Sequence, residues 1–289
     1  MAGYQSIYDY EKQDKEAFWL QAAKLIDWMI EPKTALDNSN KRVNQWFSDG
    51  QMNSCFNAVD RHVLAGRGEQ IAIQYESPIT GTASSLSFAE LQEATAKFAG
   101  MLLKQGLAKG DRVIIYMPMI SEAVIAMLGC ARIGVVHSVV FGGFAAAELA
   151  KRIDDCQPKL IVSASCGHEP NRIVYYKPLL DEAIKQANHK PHTCIIYQRD
   201  AVTAEMLAGR DVEWHEAIDP ALPAEPVGVM ATDPLYILYT SGTTGQPKGV
   251  VRDNGGPAGA FCWGMSQIYY VPQKGGFLAA SDIWWGGGG

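Results

Sequence analysis

The chain has 289 residues, 47% hydrophobic and 19% charged, a composition typical of a globular protein with one large or two medium domains. Its net charge of −6 and the lack of a basic stripe argue against nucleic acid as a partner. No stretch approaches the ~20 consecutive apolar residues of a membrane-spanning helix. The six cysteines and six histidines show no metal-ligand spacing, which predicts reduced, packed thiols in a cytoplasmic protein and no metal held by side chains.

The first 65 residues are expected to form a helical extension that packs on a domain formed by residues 66–289. A helix is predicted over residues 9–30, ended by Pro32, and a second from about Ser54 to Leu64. The apolar face of the first helix consists of Phe18, Trp19, Ala22, Ala23, Ile26 and Met29.

A strand, a turn and a returning strand are predicted next, over Ile71–Glu76 and Ser85–Phe88. Ser87 and Glu90 form the capping-box pattern Ser-x-x-Glu, which predicts that a helix begins here. Gly106 is expected to end that helix.

From residue 112 onward, strands and helices alternate. Near-continuous apolar strands between helices indicate an α/β fold with a mostly parallel sheet covered on both faces. Ligands in such folds bind beyond the carboxyl ends of the strands. Residues 199–233 are interpreted as a connection. The predicted strands are Arg112–Met117, Val135–Val140, Leu160–Ser163 and Thr193–Tyr197, and the predicted helices are Ser121–Ile133, Ala145–Asp155 and Pro178–Asn188.

The segment from Thr240 to Gly249 is the strongest candidate for a binding site. Apolar, β-prone residues flank it on both sides, so we expect a strand, a tight polar loop and a second strand. Its glycines let the backbone approach an anion closely, and its hydroxyls add hydrogen-bond donors. Lys248 supplies a compact positive charge suited to phosphate. The loop residues that would hold a polyphosphate are Thr240, Ser241, Gly242, Thr243, Thr244, Gly245 and Lys248.

Two other interpretations of this segment are weaker. A Walker A loop has glycine before its lysine and Ser or Thr after it, whereas this chain has Pro247 and Gly249. A plain surface hairpin suits the tripeptide Ser-Gly-Thr alone, but it does not require four hydroxyls and a lysine together.

A second candidate site is the glycine pair Gly142-Gly143, which lies between a buried-type strand and the helix predicted to begin near Ala145. This arrangement allows a ligand to come close to the backbone and leaves free N–H groups at a helix N-terminus. A βα turn that only needs flexible backbone angles explains the pattern equally well.

Many short stretches are similar to acetyl- and propionyl-CoA synthetases, a branch of the acyl-adenylate-forming (AMP-binding) superfamily. The segment Arg252-Asp253-Asn254 after the candidate phosphate loop resembles the propionyl enzymes, whereas acetyl enzymes usually carry His-Thr-Thr there. The stretches that carry the resemblance include Asp60-Arg61-His62, Gly110-Asp111-Arg112-Val113, Tyr116-Met117-Pro118-Met119, Ala131-Arg132-Ile133-Gly134, His137 to Phe144, Arg152-Ile153 and Tyr239 to Gly249.

The resemblance implies a propionate–CoA ligase that works in two steps. A carboxylate oxygen attacks the α-phosphate of MgATP to give acyl-AMP and pyrophosphate, and the thiol of coenzyme A then displaces AMP. ATP, Mg2+ and coenzyme A are thus the implied ligands. The resemblance further implies that the 240–248 loop holds the β- and γ-phosphates, with Thr243 and Lys248 in catalytic roles.

The resemblance also implies a site for coenzyme A. Phe141, Gly142 and Gly143 would lie against its nucleotide, and Arg172 would lie near its phosphates. Acetyl enzymes place a second arginine three residues before Arg172, where this chain has Glu169.

The similarity becomes patchy after residue 256. The acyl pocket, the adenine and ribose motifs and the domain with the adenylation lysine are not recognisable, so we expect the 289-residue chain to be inactive by itself. The alternatives are an acetate–CoA ligase and a non-catalytic fragment that binds nucleotide or CoA. An unrelated P-loop NTPase is disfavoured by Pro247 and Gly249.

Overall fold

The computed structural model describes residues 3–40, 43–140, 142–240, 247–272, 275–278 and 283. The described α-helices are α1 (Tyr4–Gln13), α2 (Lys15–Ala23), α3 (Phe88–Lys104), α4 (Ser121–Arg132), α5 (Ala146–Cys156), α6 (Tyr176–Gln186), α7 (Trp214–Ile218) and α8 (Gly255–Gln267). Two short π-helices, Phe56–Asp60 and Val63–Arg67, lie where the second helix was predicted. The described strands are β1 (Leu36–Asp37), β2 (Gln45–Trp46), β3 (Gln51–Met52), β4 (Ile71–Ser77), β5 (Thr82–Ser87), β6 (Arg112–Tyr116), β7 (Val136–Val139), β8 (Leu160–Ala164), β9 (Cys166–Glu169), β10 (Arg172–Tyr175), β11 (Thr193–Tyr197), β12 (Asp211–Glu213), β13 (Val229–Met230), β14 (Pro234–Thr240) and β15 (Lys248–Asp253).

A seven-stranded sheet forms the centre of the fold, in the order β12-β11-β8-β6-β7-β14-β15. Neighbouring strands from β12 to β14 pair in parallel, and β15 pairs antiparallel with β14 at the edge. All five residues of β8 are buried, as expected for a strand covered on both faces. The predicted α/β fold with a mostly parallel sheet and a helical N-terminus is confirmed.

The capping box at the start of α3 is present as predicted. The Ser87 hydroxyl accepts a hydrogen bond from the Glu90 amide at 3.2 Å, and the Glu90 carboxylate accepts one from the Ser87 amide at 2.7 Å. The helix presents Phe98, Met101 and Leu102 to the main core, where all three are fully buried. Gly106 follows the helix with φ +78°, a left-handed conformation that favours glycine.

The prediction of one helix over residues 9–30 was wrong. Asp14 interrupts it, because its carboxylate caps the start of α2 by accepting a hydrogen bond from the Ala17 amide. Beyond Ala23 the chain leaves the helix, and the amides of Met29 and Ile30 donate to the Gln51 carbonyl. Tertiary pairing therefore replaces the last turns of the expected helix.

Two regions contain elements that the sequence analysis did not predict. Residues 166–175 form the antiparallel hairpin β9–β10, and the supposed connection 199–233 contains β12, α7 and β13. Trp214 begins α7 and is buried, with its ring 5.4 Å from that of Phe98. The connection thus completes both the sheet and the core.

The six cysteines are all free thiols, and five of them are buried, which matches the predicted packed thiols. Within the described ranges, no helix is both long enough and apolar enough to cross a bilayer.

A buried ion pair joins the N-terminal region to the sheet domain. The guanidinium of Arg132, at the end of α4, donates to both carboxylate oxygens of Asp60 at 2.8 and 2.9 Å. Their side chains are only 3% and 5% exposed. Arg132 also donates to the Ala224 carbonyl at 2.6 Å, and Gln92 donates to Asp60. One guanidinium therefore holds α4, the N-terminal region and the 219–228 segment together.

We expect the change Asp60→Ala to destabilise the protein by about 3–5 kcal/mol, because it leaves a buried guanidinium without its counter-ion. Urea denaturation of the two proteins measures this difference. The matched control is Glu93→Gln, which breaks the exposed Glu93–Lys97 pair and should leave the unfolding free energy nearly unchanged. Equal effects of the two changes would contradict the role given to Arg132 and Asp60.

Candidate active site

The two candidate binding segments follow neighbouring strands of the central sheet. The glycine pair follows β7, and the candidate phosphate loop follows β14, which pairs in parallel with β7 through His137 and Tyr236. The Ser138 hydroxyl on β7 adds a hydrogen bond to the Ile237 carbonyl at 2.8 Å. Because the carboxyl ends of parallel strands meet at one edge of a sheet, both segments lie at the same edge, where such folds bind ligands.

The candidate phosphate loop connects β14 to β15. Thr240 and Lys248 are antiparallel partners at its base, and both side chains are exposed. The two strands predicted on either side of the loop are confirmed by this pairing. Ser241, Gly242, Thr243, Thr244 and Gly245 lie outside the described residues, so their assigned contacts remain predictions.

His137, beside the base of β14, is a buried and neutral side chain. Burial lowers its pKa to about 4, so the imidazole carries no charge at neutral pH. Its ring lies 5.7 Å from that of Tyr236. His137 therefore contributes packing rather than positive charge, and it lies near the start of β7, away from the carboxyl edge that carries the candidate segments.

The glycine turn, defined here as Gly142-Gly143-Phe144, lies directly before α5, which has Ala145 as its N-cap. The hydroxyl of Tyr116, at the end of β6, lies 3.2 Å from the Gly142 carbonyl oxygen and 3.1 Å from that of Phe144, as donor to both. Burial raises the pKa of Tyr116, so the hydroxyl stays protonated and able to donate. Phe141, the third residue assigned to CoA, lies outside the described residues.

A tyrosine that the sequence analysis missed shapes this turn. Tyr176 is buried, its ring lies 5.1 Å from that of Tyr116, and a Cβ added to Gly142 would come within 1.9 Å of its hydroxyl oxygen. A Cβ on Gly167 would approach the same oxygen at 2.6 Å. Both glycines are thus required by packing against Tyr176. No local pattern indicates this, because residues 142 and 176 meet only in the tertiary structure.

A pocket of about 260 Å³ opens beside the glycine turn. It lies at the carboxyl ends of the neighbouring strands β6 and β8. From these two strands the chain continues in opposite directions along the strand order, from β6 through α4 to β7 and from β8 through α6 to β11. Such a reversal of strand order is where open α/β sheets form their ligand crevice. Residues that line the pocket include Met117, Gly142, Gly143, His168, Tyr176 and Arg199.

Arg172, predicted to lie near the CoA phosphates, is an exposed residue of the hairpin β9–β10. Its guanidinium pairs with Glu169, its antiparallel partner, at 2.7 Å. Hydrogen bonding from Arg172 lowers the pKa of the Glu169 carboxyl, which is therefore ionised at neutral pH. Glu169 lines the pocket, so this carboxylate, at the position where the resemblance to acetyl enzymes implies a second arginine, neutralises Arg172 at the pocket rim. The role of Arg172 stays a prediction.

Among the described residues, no three His, Cys, Asp or Glu side chains are grouped in a way that could hold a metal ion.

Comparison with protein-family models assigns the chain to a family. The model for AMP-binding enzymes matches residues 60–288, and the model for the acetyl-coenzyme A synthetase N-terminus matches residues 4–58. The chain belongs to the AMP-binding enzyme family, and its relatives are short-chain acyl-CoA synthetases.

Individual relatives agree with this assignment. The chain is 47% identical to the rat mitochondrial acyl-CoA synthetase short-chain family member 3, over 98% of this chain and 41% of the relative. It is 41% identical to the propionate–CoA ligase of Escherichia coli K12, over 98% of this chain and 45% of the relative. The chain therefore spans a little over two fifths of the length of these curated relatives.

A solved structure shows the same fold. Acetoacetyl-CoA synthetase from Streptomyces lividans superposes with a TM-score of 0.83, covering 92% of this chain and 40% of that protein, at 22% sequence identity.

We expect Gly142→Ala to destabilise the chain by about 1–3 kcal/mol, because the new methyl group overlaps the Tyr176 side chain and displaces the turn. Thermal unfolding measures the loss. Gly264→Ala is the matched control, since nothing lies within 4 Å of its added Cβ and it sits in α8, where alanine is favoured. A Gly142→Ala protein as stable as the control would show that the turn accommodates the methyl group without loss of stability.

Proposed function

We propose that this chain carries the ATP-phosphate and CoA sites of an AMP-forming ligase that joins a short carboxylic acid, propionate, to coenzyme A. The observation that carries the proposal is the placement of the candidate phosphate loop and the glycine turn. They follow adjacent parallel strands at one edge of the sheet, in a chain of the AMP-binding family.

The chemistry asks the protein to position substrates and to neutralise charge. In the first step a carboxylate oxygen attacks the α-phosphorus of ATP and pyrophosphate leaves; in the second the CoA sulfur attacks the acyl carbon and AMP leaves. Neither step needs a nucleophile from the protein. Mg2+ would arrive with ATP as part of the substrate.

Lys248 is suited to the charge-neutralising role. Its exposed ammonium group stands at the base of the loop opposite Thr240, where a polyphosphate held by the loop would pass. A fixed cation and loop N–H groups that need no reorganisation stabilise the departing pyrophosphate better than water does. Thr243 would act on the same phosphates from the loop itself.

The glycine turn and the neighbouring pocket are suited to the nucleotide of CoA. Gly142 and Gly143 both line the pocket, so these two residues of the turn present only backbone to it. The hydroxyl of Tyr116 fixes two of its carbonyls. A rigid, side-chain-free backbone permits the close approach that the proposal requires.

The choice of propionate over acetate is supported by the segment Arg252-Asp253-Asn254. Asn254 is buried and has a packing role: it accepts a hydrogen bond from the Ser54 hydroxyl at 2.7 Å and donates to the Asp233 carbonyl at 2.9 Å. The segment supports propionate only through its resemblance to the propionyl enzymes, since Asn254 itself serves to attach the N-terminal region. It does not support propionate through a contact with the acid, so acetate is the alternative substrate. A cytoplasmic location is proposed together with this function.

We expect the purified chain to bind ATP and Lys248→Ala to weaken that binding by about tenfold, because a charge-assisted contact with phosphate is lost. Isothermal titration calorimetry gives both dissociation constants. Lys104→Ala, which removes an exposed lysine at the end of α3, is the control and should leave the affinity unchanged. An unchanged ATP affinity in Lys248→Ala would refute the role of Lys248.

The 289-residue chain is expected to bind ATP and CoA without releasing pyrophosphate in the presence of propionate. The resemblance places the adenine, ribose and lysine motifs in the part of the relatives that this chain does not span. A coupled pyrophosphate assay with propionate, acetate and no acid tests this expectation. Release with propionate would overturn it. Binding of neither ATP nor CoA would refute the proposed function.

A further inference from the structure

Helix α5 contacts both candidate binding segments. It begins two residues after Phe144, the last residue of the glycine turn, and two of its side chains reach Tyr239, which lies immediately before Thr240. These side chains are Arg152 and Asp155, three positions apart and so on one face of the helix.

The guanidinium of Arg152 contacts one aromatic ring of the glycine turn and one of β14, immediately before the phosphate loop. Its central carbon lies 4.5 Å from the ring centre of Phe144 and 5.5 Å from that of Tyr239. Both distances are within the range of a favourable cation–π contact. One side chain therefore touches the end of the glycine turn and the end of β14.

Asp155 makes a second contact between α5 and β14. The Tyr239 hydroxyl donates to its carboxylate at 2.6 Å, and burial together with this hydrogen bond raises the pKa of Tyr239. The carboxylate also lies 3.4 Å from the position that a Cβ on Gly249, the antiparallel partner of Tyr239, would occupy. Asp155 thus packs against both strands of the hairpin that carries Thr240 and Lys248.

A purely space-filling role does not account for Arg152. Its side chain is 7% exposed, and burying a charge is costly unless it is paired. The pairing comes from its own helix, where the guanidinium donates to the Glu148 carbonyl at 2.6 Å and to the Glu148 carboxylate at 3.2 Å. With its charge balanced within α5, the guanidinium keeps its flat faces for the two rings, which the ammonium of a lysine could not match.

We propose that Arg152 is a positioning residue that fixes the glycine turn relative to the phosphate hairpin, so that the CoA and ATP sites keep one mutual geometry. The identity of the two ligands rests on the proposed function, whereas the positioning itself does not. No reacting group is assigned to Arg152, because its contacts are with Phe144, Tyr239 and Glu148.

Arg152→Lys tests the proposal in the 289-residue chain, because it keeps the charge and the pairing with Glu148 but removes the planar group. Lys151→Met is the matched control: Lys151 is the adjacent residue, also pairs with Glu148, and is 40% exposed. Without ligand, amide chemical shifts of Gly143 and Thr240 report the two segments separately. We expect both amides to shift in Arg152→Lys and neither in Lys151→Met.

With ligand, we expect Arg152→Lys to bind ATP and CoA about tenfold more weakly, since small displacements of positioning groups weaken the contacts that they make.

Several outcomes would overturn the proposal. They are a shift at only one of the two amides, a shift at neither, or equal shifts in the control. A lower melting temperature with unchanged amides and affinities would leave Arg152 a structural residue only. If Arg152→Lys fails to fold, Phe144→Leu is the deciding variant. The proposal then requires that this change in the glycine turn shift the amide resonance of Thr240, because Arg152 contacts both Phe144 and Tyr239. An unchanged Thr240 resonance would overturn the proposal. A wild-type chain that binds neither ATP nor CoA would refute the proposed function, while the ligand-free shifts would still decide the positioning role.

Discussion

The parallel pairing of β6, β7 and β14 is the constraint on which the candidate site depends. Parallel strands place all their carboxyl ends at one edge, so segments that are about 100 residues apart in sequence become neighbours there. The glycine turn, the 240–248 loop and the pocket between β6 and β8 share that edge for this reason. A change of register or direction in any of these strands would separate the elements of the site even if every residue of each motif were kept.

The N-terminal region is attached to this frame by buried polar groups rather than by apolar packing alone. The ion pair between Asp60 and Arg132 is one such attachment. A second is the side-chain amide of Asn53, whose Nδ2 donates to the carbonyls of Ala131, Arg132 and Val227 at 2.8–3.2 Å. Such groups are favourable only when all their partners are in place, so they specify one arrangement of the two regions. Residues 4–58 match a family model of their own, that of the acetyl-coenzyme A synthetase N-terminus.

Local signals in the sequence predict the elements whose stability is local. The capping box of Ser87 and Glu90 places the start of α3, and the apolar run Thr193–Tyr197 gives β11 with the same bounds as the structure. Among the elements that escaped prediction, the hairpin β9–β10 pairs locally, whereas α7 and β12 depend on partners farther away in the chain. Helix α7 exists because Trp214 packs against Phe98, and β12 is a strand because it pairs with β11.

The same distinction holds for the candidate site. The glycine pair and the loop at Thr240 were recognisable from residue type, and the α/β alternation placed them at strand ends. The long-range contacts that shape them were not recognisable, because Tyr176 reaches Gly142 across 34 positions, and Arg152 and Asp155 reach Tyr239 across 87 and 84 positions. No spacing rule relates a tyrosine at the start of α6 to a glycine after β7.

The pairing of β14 with β7 has a consequence for how the site can vary. Only one residue pair, Tyr236 with His137, is in parallel register between these strands, whereas β6 and β7 share four such pairs. Side chains supply much of the remaining attachment, through the Ser138 hydroxyl and through Asp155 with Tyr239. Backbone ladders are nearly indifferent to sequence, but side-chain attachments are not. Single substitutions at Ser138, Asp155 or Tyr239 would therefore change how the hairpin that carries Lys248 is held, while the backbone pairing of the sheet stays the same.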